Sequence, residues 1–248
     1  MARTVAVVQA RMGSSRLPGK VMLPIRGRTV LAHVLERCGA IPGVHRLCCA
    51  VPQSPDCDLL ADEARRAGAE IFRGDEHDVL DRYYWAAAAL AAEVVLRVTA
   101  DCPLIDPELC AEVLAVRTRE SADYACNNQP RTWPHGLDCE AFTFEWLTRA
   151  WREARQPAER EHVTPYIRTH PEARRCNVPA PRPGLERYRW TLDTPSDFEH
   201  LKWLFAGIPA GPSGWRWQET LRAADREGSG ASEPAWSARP AAGGEGKA

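Results

Sequence analysis

Three stretches of this chain combine residue types that can do chemistry. The first is Gln9-Ala10-Arg11-Met12-Gly13-Ser14-Ser15-Arg16-Leu17-Pro18-Gly19-Lys20, with two glycines, two serines and three cations. Small residues let backbone N–H groups approach an anion, and Arg or Lys neutralises it, so the chemistry implied is polyphosphate binding. The first 35 residues hold six Lys or Arg and no Asp or Glu, although the whole chain carries a net charge of −1. The second stretch, Arg97-Val98-Thr99-Ala100-Asp101-Cys102-Pro103-Leu104-Ile105-Asp106-Pro107, puts Asp101 just past an apolar run. A carboxylate there is costly unless it is paired or bound to a cation. Asp106 instead reads as the cap of a helix entered at Pro107. In the third, Arg187-Tyr188-Arg189-Trp190-Thr191-Leu192-Asp193-Thr194-Pro195, a strand rises to Asp193 and Thr194 caps the next helix.

Two further strings carry polar side chains of less certain use. Phe72-Arg73-Gly74-Asp75-Glu76-His77-Asp78-Val79-Leu80-Asp81-Arg82-Tyr83 places acids where a helix N-terminus favours them. In Thr132-Trp133-Pro134-His135-Gly136-Leu137-Asp138-Cys139-Glu140, Asp138 and Glu140 alternate along an expected strand and so share one face, which suits a polyol or an amine. The common phosphate-loop spacings G-x-x-x-x-G-K-[ST] and G-x-G-x-x-G are absent. Glu161 and His162 are adjacent, about 100° apart on a helix, and cannot form the two-ligand face of an H-E-x-x-H zinc site.

The elements that must position these groups alternate in type. Val5–Val8 reads as a buried strand and the run from Val30 to Gly39 as a helix. Strands at 44–51, 70–73 and 94–98 alternate with helices at 56–67, 75–92 and 107–118. That pattern implies an α/β fold: a mostly parallel, Rossmann-like sheet with helices on both faces. Ligands of such a sheet gather at the carboxyl ends of the strands, where all three stretches fall. Beyond residue 120 the alternation is less regular, with helices expected at 144–155 and from Glu159. The domain reading is one unit over 1–206, with 125–180 a small irregular lobe for acceptor binding or dimerisation. A C-terminal extension follows over 207–227, then a disordered tail over 228–248.

The segment from Gln9 to Lys20, continuing into Leu23-Pro24-Ile25-Arg26-Gly27, closely resembles the nucleotide loop of sugar-activating cytidylyltransferases. Within that group it is most similar to the spore-coat polysaccharide branch, and more distantly to the synthetases of CMP-Kdo and CMP-sialic acid. The Arg97–Pro107 string matches the family's metal-aspartate motif, and the 132–142 and Glu159-Arg160-Glu161-His162-Val163-Thr164-Pro165 strings are similar to the spore-coat branch. The resemblance implies a nucleotide-diphospho-sugar transferase type of sheet. It also implies a nucleotide site from Gln9, Ala10, Arg11, Gly13, Ser14, Ser15, Arg16, Lys20, Arg73, Arg82 and Thr99. Arg11, Arg16, Lys20 and Asp101 are its catalytic candidates, and Asp101 with Asp193 would hold Mg²⁺. His135, Asp138, Glu140, Arg160 and His162 would line the acceptor side. The reaction implied is CTP plus a sugar-like acceptor, such as an acidic sugar, giving CMP-sugar and pyrophosphate. A phosphonate acceptor, GTP as donor, or a glycosyltransferase using a finished nucleotide sugar are the alternatives. A homodimer is the family expectation.

Bulk composition bounds the rest. Hydrophobic residues make up 44% of 248 residues, enough for a sizeable core. A near-neutral charge argues against a general nucleic-acid binder. No apolar run is long enough to span a bilayer and no signal peptide is visible, which points to the cytoplasm. The nine cysteines are scattered, odd in number and without a C-x-x-C pair, so reduced and mostly buried thiols are expected.

Overall fold

The computed structural model describes residues 2–211 and 215–228. Strand β1 (Thr4–Gln9) is an apolar run paired on both edges, the pattern of a buried parallel strand. The loop after it passes through a single 3-10 turn, Lys20–Met22, into a small hairpin, β2 (Pro24–Ile25) and β3 (Arg28–Thr29). Helix α1 (Val30–Gly39) starts where the Thr29 hydroxyl accepts from the Ala32 N–H at 3.0 Å. Next come β4 (Arg46–Pro52), α2 (Asp58–Arg66), β5 (Glu70–Gly74), α3 (Val79–Ala89) and β6 (Val94–Thr99). Asp106 caps α4 (Pro107–Arg119), accepting from the N–H groups of Glu108 at 2.9 Å and Leu109 at 3.1 Å. Then follow β7 (Tyr124–Cys126), β8 (Glu140–Thr143), α5 (Phe144–Glu153), α6 (Pro157–His162), α7 (Pro165–Thr169) and β9 (Arg175–Asn177). The described chain closes with α8 (Pro195–Gly207) and α9 (Trp217–Gly228).

The main sheet has the order β5-β4-β1-β6-β8-β7-β9, and only β8 runs against the rest. Alternation along β1 divides the core into two layers. Ala6 and Val8 pack with Leu31 and Leu35 of α1, Leu109 of α4 and Leu201 of α8, whereas Val5 and Val7 pack with Tyr83 of α3, Leu147 of α5 and Ile167 of α7. Helices on both faces of a mostly parallel sheet are what the alternation implies.

Four departures from the sequence reading have local causes. Helix α3 begins at Val79 rather than Asp75, because the Asp75 carboxylate accepts from the N–H groups of His77 and Asp78, both at 2.8 Å, and holds an acidic turn in place of helix. It stops at Ala89 because Ala91 turns left-handed, with φ 49°. The region 125–180 continues the main sheet through β7, β8 and β9, and its helix is broken between α6 and α7 at Val163. Finally, α9 is longer than the short docked segment expected around Trp215–Leu221. It is anchored by the Trp217 N–H on Asp106 Oδ2 at 2.6 Å and by the Arg37 guanidinium 3.6 Å from the centre of the Trp215 ring. The tail expected over 228–248 lies outside the described residues apart from Gly228.

Candidate active site

The strand order reverses at β1, with β4 and β5 to one side and β6 to the other, so a crevice opens beyond the carboxyl ends of β1 and β6. Gln9 and Thr99 are register partners there, which sets the loops after the two strands side by side. The β1 loop folds back on itself through Gly19, at φ 66°, whose N–H donates to Met12 O at 3.0 Å. A left-handed residue is needed at this point, and glycine takes that conformation without steric cost. The fold-back returns Lys20 to the mouth of the crevice.

Lys20 joins the two carboxylates that sequence separates by ninety-odd residues. Its Nζ donates to Asp101 Oδ2 at 2.8 Å, Asp193 Oδ1 at 2.9 Å and the Leu192 carbonyl at 2.7 Å. The remaining oxygens are occupied from behind. Asp101 Oδ1 accepts from the Thr99 hydroxyl at 2.6 Å, and Asp193 Oδ2 accepts from Arg189 at 2.5 Å. Arg189 is itself held by Asp197 Oδ1 at 3.0 Å and lies 2.8 Å from His135 Nδ1. The Leu192 N–H on Asp101 O, at 2.9 Å, ties the two carboxylate loops together. Arg16 reaches Asp193 Oδ1 at 3.3 Å from a largely exposed position.

These contacts fix the charge states. Burial lowers the Lys20 pKa, but the charges and hydrogen bonds of Asp101 and Asp193 outweigh it and leave the ammonium above the ordinary lysine value. Burial pushes the Asp193 carboxyl up, yet Lys20 and Arg189 together hold it below the usual Asp range. Both members of the pair are therefore charged at neutral pH.

Lys20, Asp101 and Asp193 line a cavity of about 260 Å³ together with Gln9, Ala10, Arg11, Gly13, Ser14, Ser15, Arg16, Arg82, Thr99 and His162. Glu161, Val79, Val21 and Ala100 complete its wall. Arg82 is almost wholly buried and donates to the Asp75 carbonyl and, at 2.8 Å, to Glu76 O. It therefore braces the acidic turn beside the cavity.

Other expected site residues lie elsewhere. Arg73 leaves the end of β5 toward Asp58, 2.6 Å away, and does not line the cavity. Arg160 pairs with Asp78 and bounds a neighbouring recess of about 320 Å³, which shares Arg11 and Glu161 with the main cavity. His135 and Asp138 stand behind Asp193, with Asp138 bonded to Arg131 at 2.7 Å. Asp138 and Glu140 do not share a face of one strand, since Asp138 precedes β8 in a loop. Glu140 is 2% exposed and ion-paired with Arg97, and accepts from Tyr124 Oη at 2.5 Å and Thr164 Oγ1 at 2.7 Å. All its acceptor capacity faces the core, so the acceptor-wall reading of Glu140 is corrected to that of a buried counter-ion.

Two wall or support residues were not legible as such. In the sequence Glu161 is marked only by its unsuitable spacing for a zinc site, yet it faces the cavity 3.7 Å from Arg11. It lies in the last turn of α6, which ends in a tight turn at Val163, with φ 70° and ψ −53°, where the Thr164 N–H bonds His162 O at 2.8 Å. This is a γ-turn geometry that a buried β-branched residue adopts only under strain, and such strain clusters at functional sites. Arg189 was visible only as a cation four residues before Asp193.

Asp101 follows the end of β6, but the strand expected to rise to Asp193 is absent: the chain there is extended with a single bridge, Arg189 to His135, and Asp193 lies in the bend before α8. A mostly parallel α/β sheet that sets a cationic, glycine-containing loop against these two carboxylates fits the nucleotidyltransferase class, which the family match establishes. The cytidylyltransferase family model matches residues 5–220, and the chain belongs to that family. The chain is 33% identical over 206 residues to the spore coat polysaccharide biosynthesis protein SpsF of Bacillus subtilis, covering 80% of this chain and 85% of that protein. It is 33% identical over 199 residues to the uncharacterized protein MJ1063 of Methanocaldococcus jannaschii, covering 79% and 81% respectively. A solved cytidylyltransferase from Leptospira borgpetersenii superposes with a TM-score of 0.87 at 28% identity, over 92% of this chain and 96% of that one.

Proposed function

We propose that this cytidylyltransferase moves CMP from CTP to a sugar-like acceptor, releasing pyrophosphate. The observation that carries the reading is the meeting of Lys20, from the phosphate-type loop, with Asp101 and Asp193 at the β1–β6 crevice. In this reading the N–H groups around Gly13, Ser14 and Ser15 cradle the triphosphate while Arg11 and Arg16 neutralise it. An acceptor oxygen attacks the α-phosphorus in line. The bond from the α-phosphorus to the bridging oxygen breaks, and pyrophosphate departs with its charge offset by the loop cations. An acceptor hydroxyl gives its proton to water, whereas a carboxylate or phosphonate attacks already ionised.

The donor set suits a hard divalent cation such as Mg²⁺: each of Asp101 and Asp193 turns one oxygen outward, and phosphate and water would supply the rest. When bound, such an ion would supply positive charge to offset the charge that develops at the reacting phosphate. Thr99 and Arg189 hold the two carboxylates in that attitude. In this reading the acceptor lies against the Glu161 and His162 wall of the cavity, with Arg160 in the adjoining recess and the His135–Asp138 pair behind Asp193. A homodimer and a cytoplasmic setting belong to the same proposal, and among the described residues no helix is long and apolar enough to cross a membrane.

Replacing Asp101 with Asn tests the assignment while keeping the side chain's shape. Turnover is expected to fall at least about a hundredfold, since charge stabilisation at a phosphoryl centre is worth several kcal/mol. The far-UV spectrum should stay that of the parent. An Asp101→Asn variant with wild-type turnover would contradict the proposal.

A further inference from the structure

We infer that Lys20 and the divalent cation exclude one another at the Asp101–Asp193 pair, so that the triphosphate opens the cation site by drawing the ammonium away. The inference rests on the proposed metal role of the two aspartates and says how that role is switched on.

Five contacts carry it. Asp101 has Oδ1 engaged by Thr99 at 2.6 Å, and Asp193 has Oδ2 engaged by Arg189 at 2.5 Å. Each carboxylate therefore presents a single oxygen to the cleft, and both of those oxygens accept from Lys20 Nζ, at 2.8 and 2.9 Å, with the exposed Arg16 guanidinium a looser neighbour of Asp193 Oδ1 at 3.3 Å. The atoms a cation would need are the atoms the ammonium holds. The ammonium is just as fully committed. It has three donors, and the third goes to the Leu192 carbonyl at 2.7 Å, so none is left for phosphate. Lys20 cannot serve the triphosphate from this position, and the aspartates cannot bind a cation while it stays.

One movement resolves both conflicts. Lysine carries its charge on a flexible four-carbon stem, unlike the planar, forked guanidinium of arginine. Its ammonium can leave the carboxylates for a β- or γ-phosphate held in the same loop by Arg11 and Arg16, freeing two oxygens for the cation. Cation affinity without nucleotide is then reduced by the fraction of molecules in which Lys20 has left the pair. Coupling of this kind is reciprocal, so the cation strengthens triphosphate binding by the factor by which triphosphate strengthens cation binding.

The test is Mn²⁺ binding to the full chain without nucleotide, read by electron paramagnetic resonance of the free ion. Lys20→Met removes the competing charge and keeps the stem. It should bind Mn²⁺ about tenfold or more tightly than the parent, corresponding to Lys20 being on the pair in at least about nine molecules of ten. Adding Asp101→Asn to Lys20→Met should abolish that gain. Lys20→Gln gives the same reading if the Met variant does not reach the parent's unfolding transition. A Lys20 variant that binds Mn²⁺ no better than the parent, with binding still dependent on Asp101, overturns the inference alone. Mn²⁺ binding that ignores Asp101 in every variant overturns the metal reading on which it rests.

Discussion

Replacement of Glu140 by Gln separates a buried counter-ion from an acceptor contact. The side chain of Glu140 is 3% exposed and that of its partner Arg97 is 15% exposed, so the pair has little solvent screening. Gln keeps the shape and some of the hydrogen bonding to Tyr124 and Thr164, but leaves the Arg97 guanidinium in the core without its countercharge. Removing one partner of a buried ion pair costs about 3–5 kcal/mol, and the conserved shape argues for the lower end, about 3 kcal/mol. For a chain of this size each kcal/mol lowers the melting temperature by about 2–4 °C, so the variant should melt about 10 °C below the parent at pH 7. The pH dependence has a defined sign. Burial raises the Glu140 carboxyl, but Arg97, Tyr124 and Thr164 outweigh it and hold its pKa below the ordinary 4.5. A depressed folded pKa means the stabilisation is fully present above 4.5 and is lost as pH falls through the folded value. The gap between variant and parent should therefore close below about pH 4.5. Circular dichroism melts across pH 3–8 measure both effects, the range being a choice of buffer series. A Glu140→Gln variant melting within about 2 °C of the parent, with a raised KM for the acceptor, would refute the counter-ion argument.

Two other outcomes follow from the same geometry. Gly136 has φ 113°, and a Cβ there would stand 2.5 Å from the Trp190 carbonyl carbon and oxygen, so Gly136→Ala should cost at least about 2 kcal/mol in denaturant unfolding and lower kcat through the displaced Asp193 loop. Of the nine free thiols only Cys176 is not fully buried, so native-state alkylation followed by mass spectrometry should label Cys176 first, with Cys38, Cys102 and Cys110 protected by burial that raises their pKa values well above the free thiol.

What was legible in the sequence was local or was carried by identity. The apolar runs of β1, β4 and β6 and the helices between them alternate clearly enough to imply a parallel sheet, and Asp106 before Pro107 marks its helix start without ambiguity. The loop from Gln9 to Lys20 stands out by its composition. Contacts between distant segments were not legible. Lys20 meets partners 81 and 173 positions away, and no local pattern says that the ammonium will lie between two acids. Glu140 looked like half of an alternating acidic pair because its true partner, Arg97, sits 43 positions earlier across the β6–β8 ladder. At Asp75 the composition suited a helix start, and a side-chain bond to two backbone N–H groups won instead. The strain at Val163 has no signature in residue type at all, since valine is among the side chains least suited to positive φ.

The central claim is tested most directly by pyrophosphate release from each of the four ribonucleoside triphosphates with Mg²⁺ and a panel of acidic sugars, neutral sugars and phosphonates. The account predicts release with CTP and one acceptor class, dependent on the metal and lost in Asp101→Asn. No release from any pair, together with tight binding of a finished CMP- or UDP-sugar, would contradict it and make the protein a user of activated sugars instead of their source.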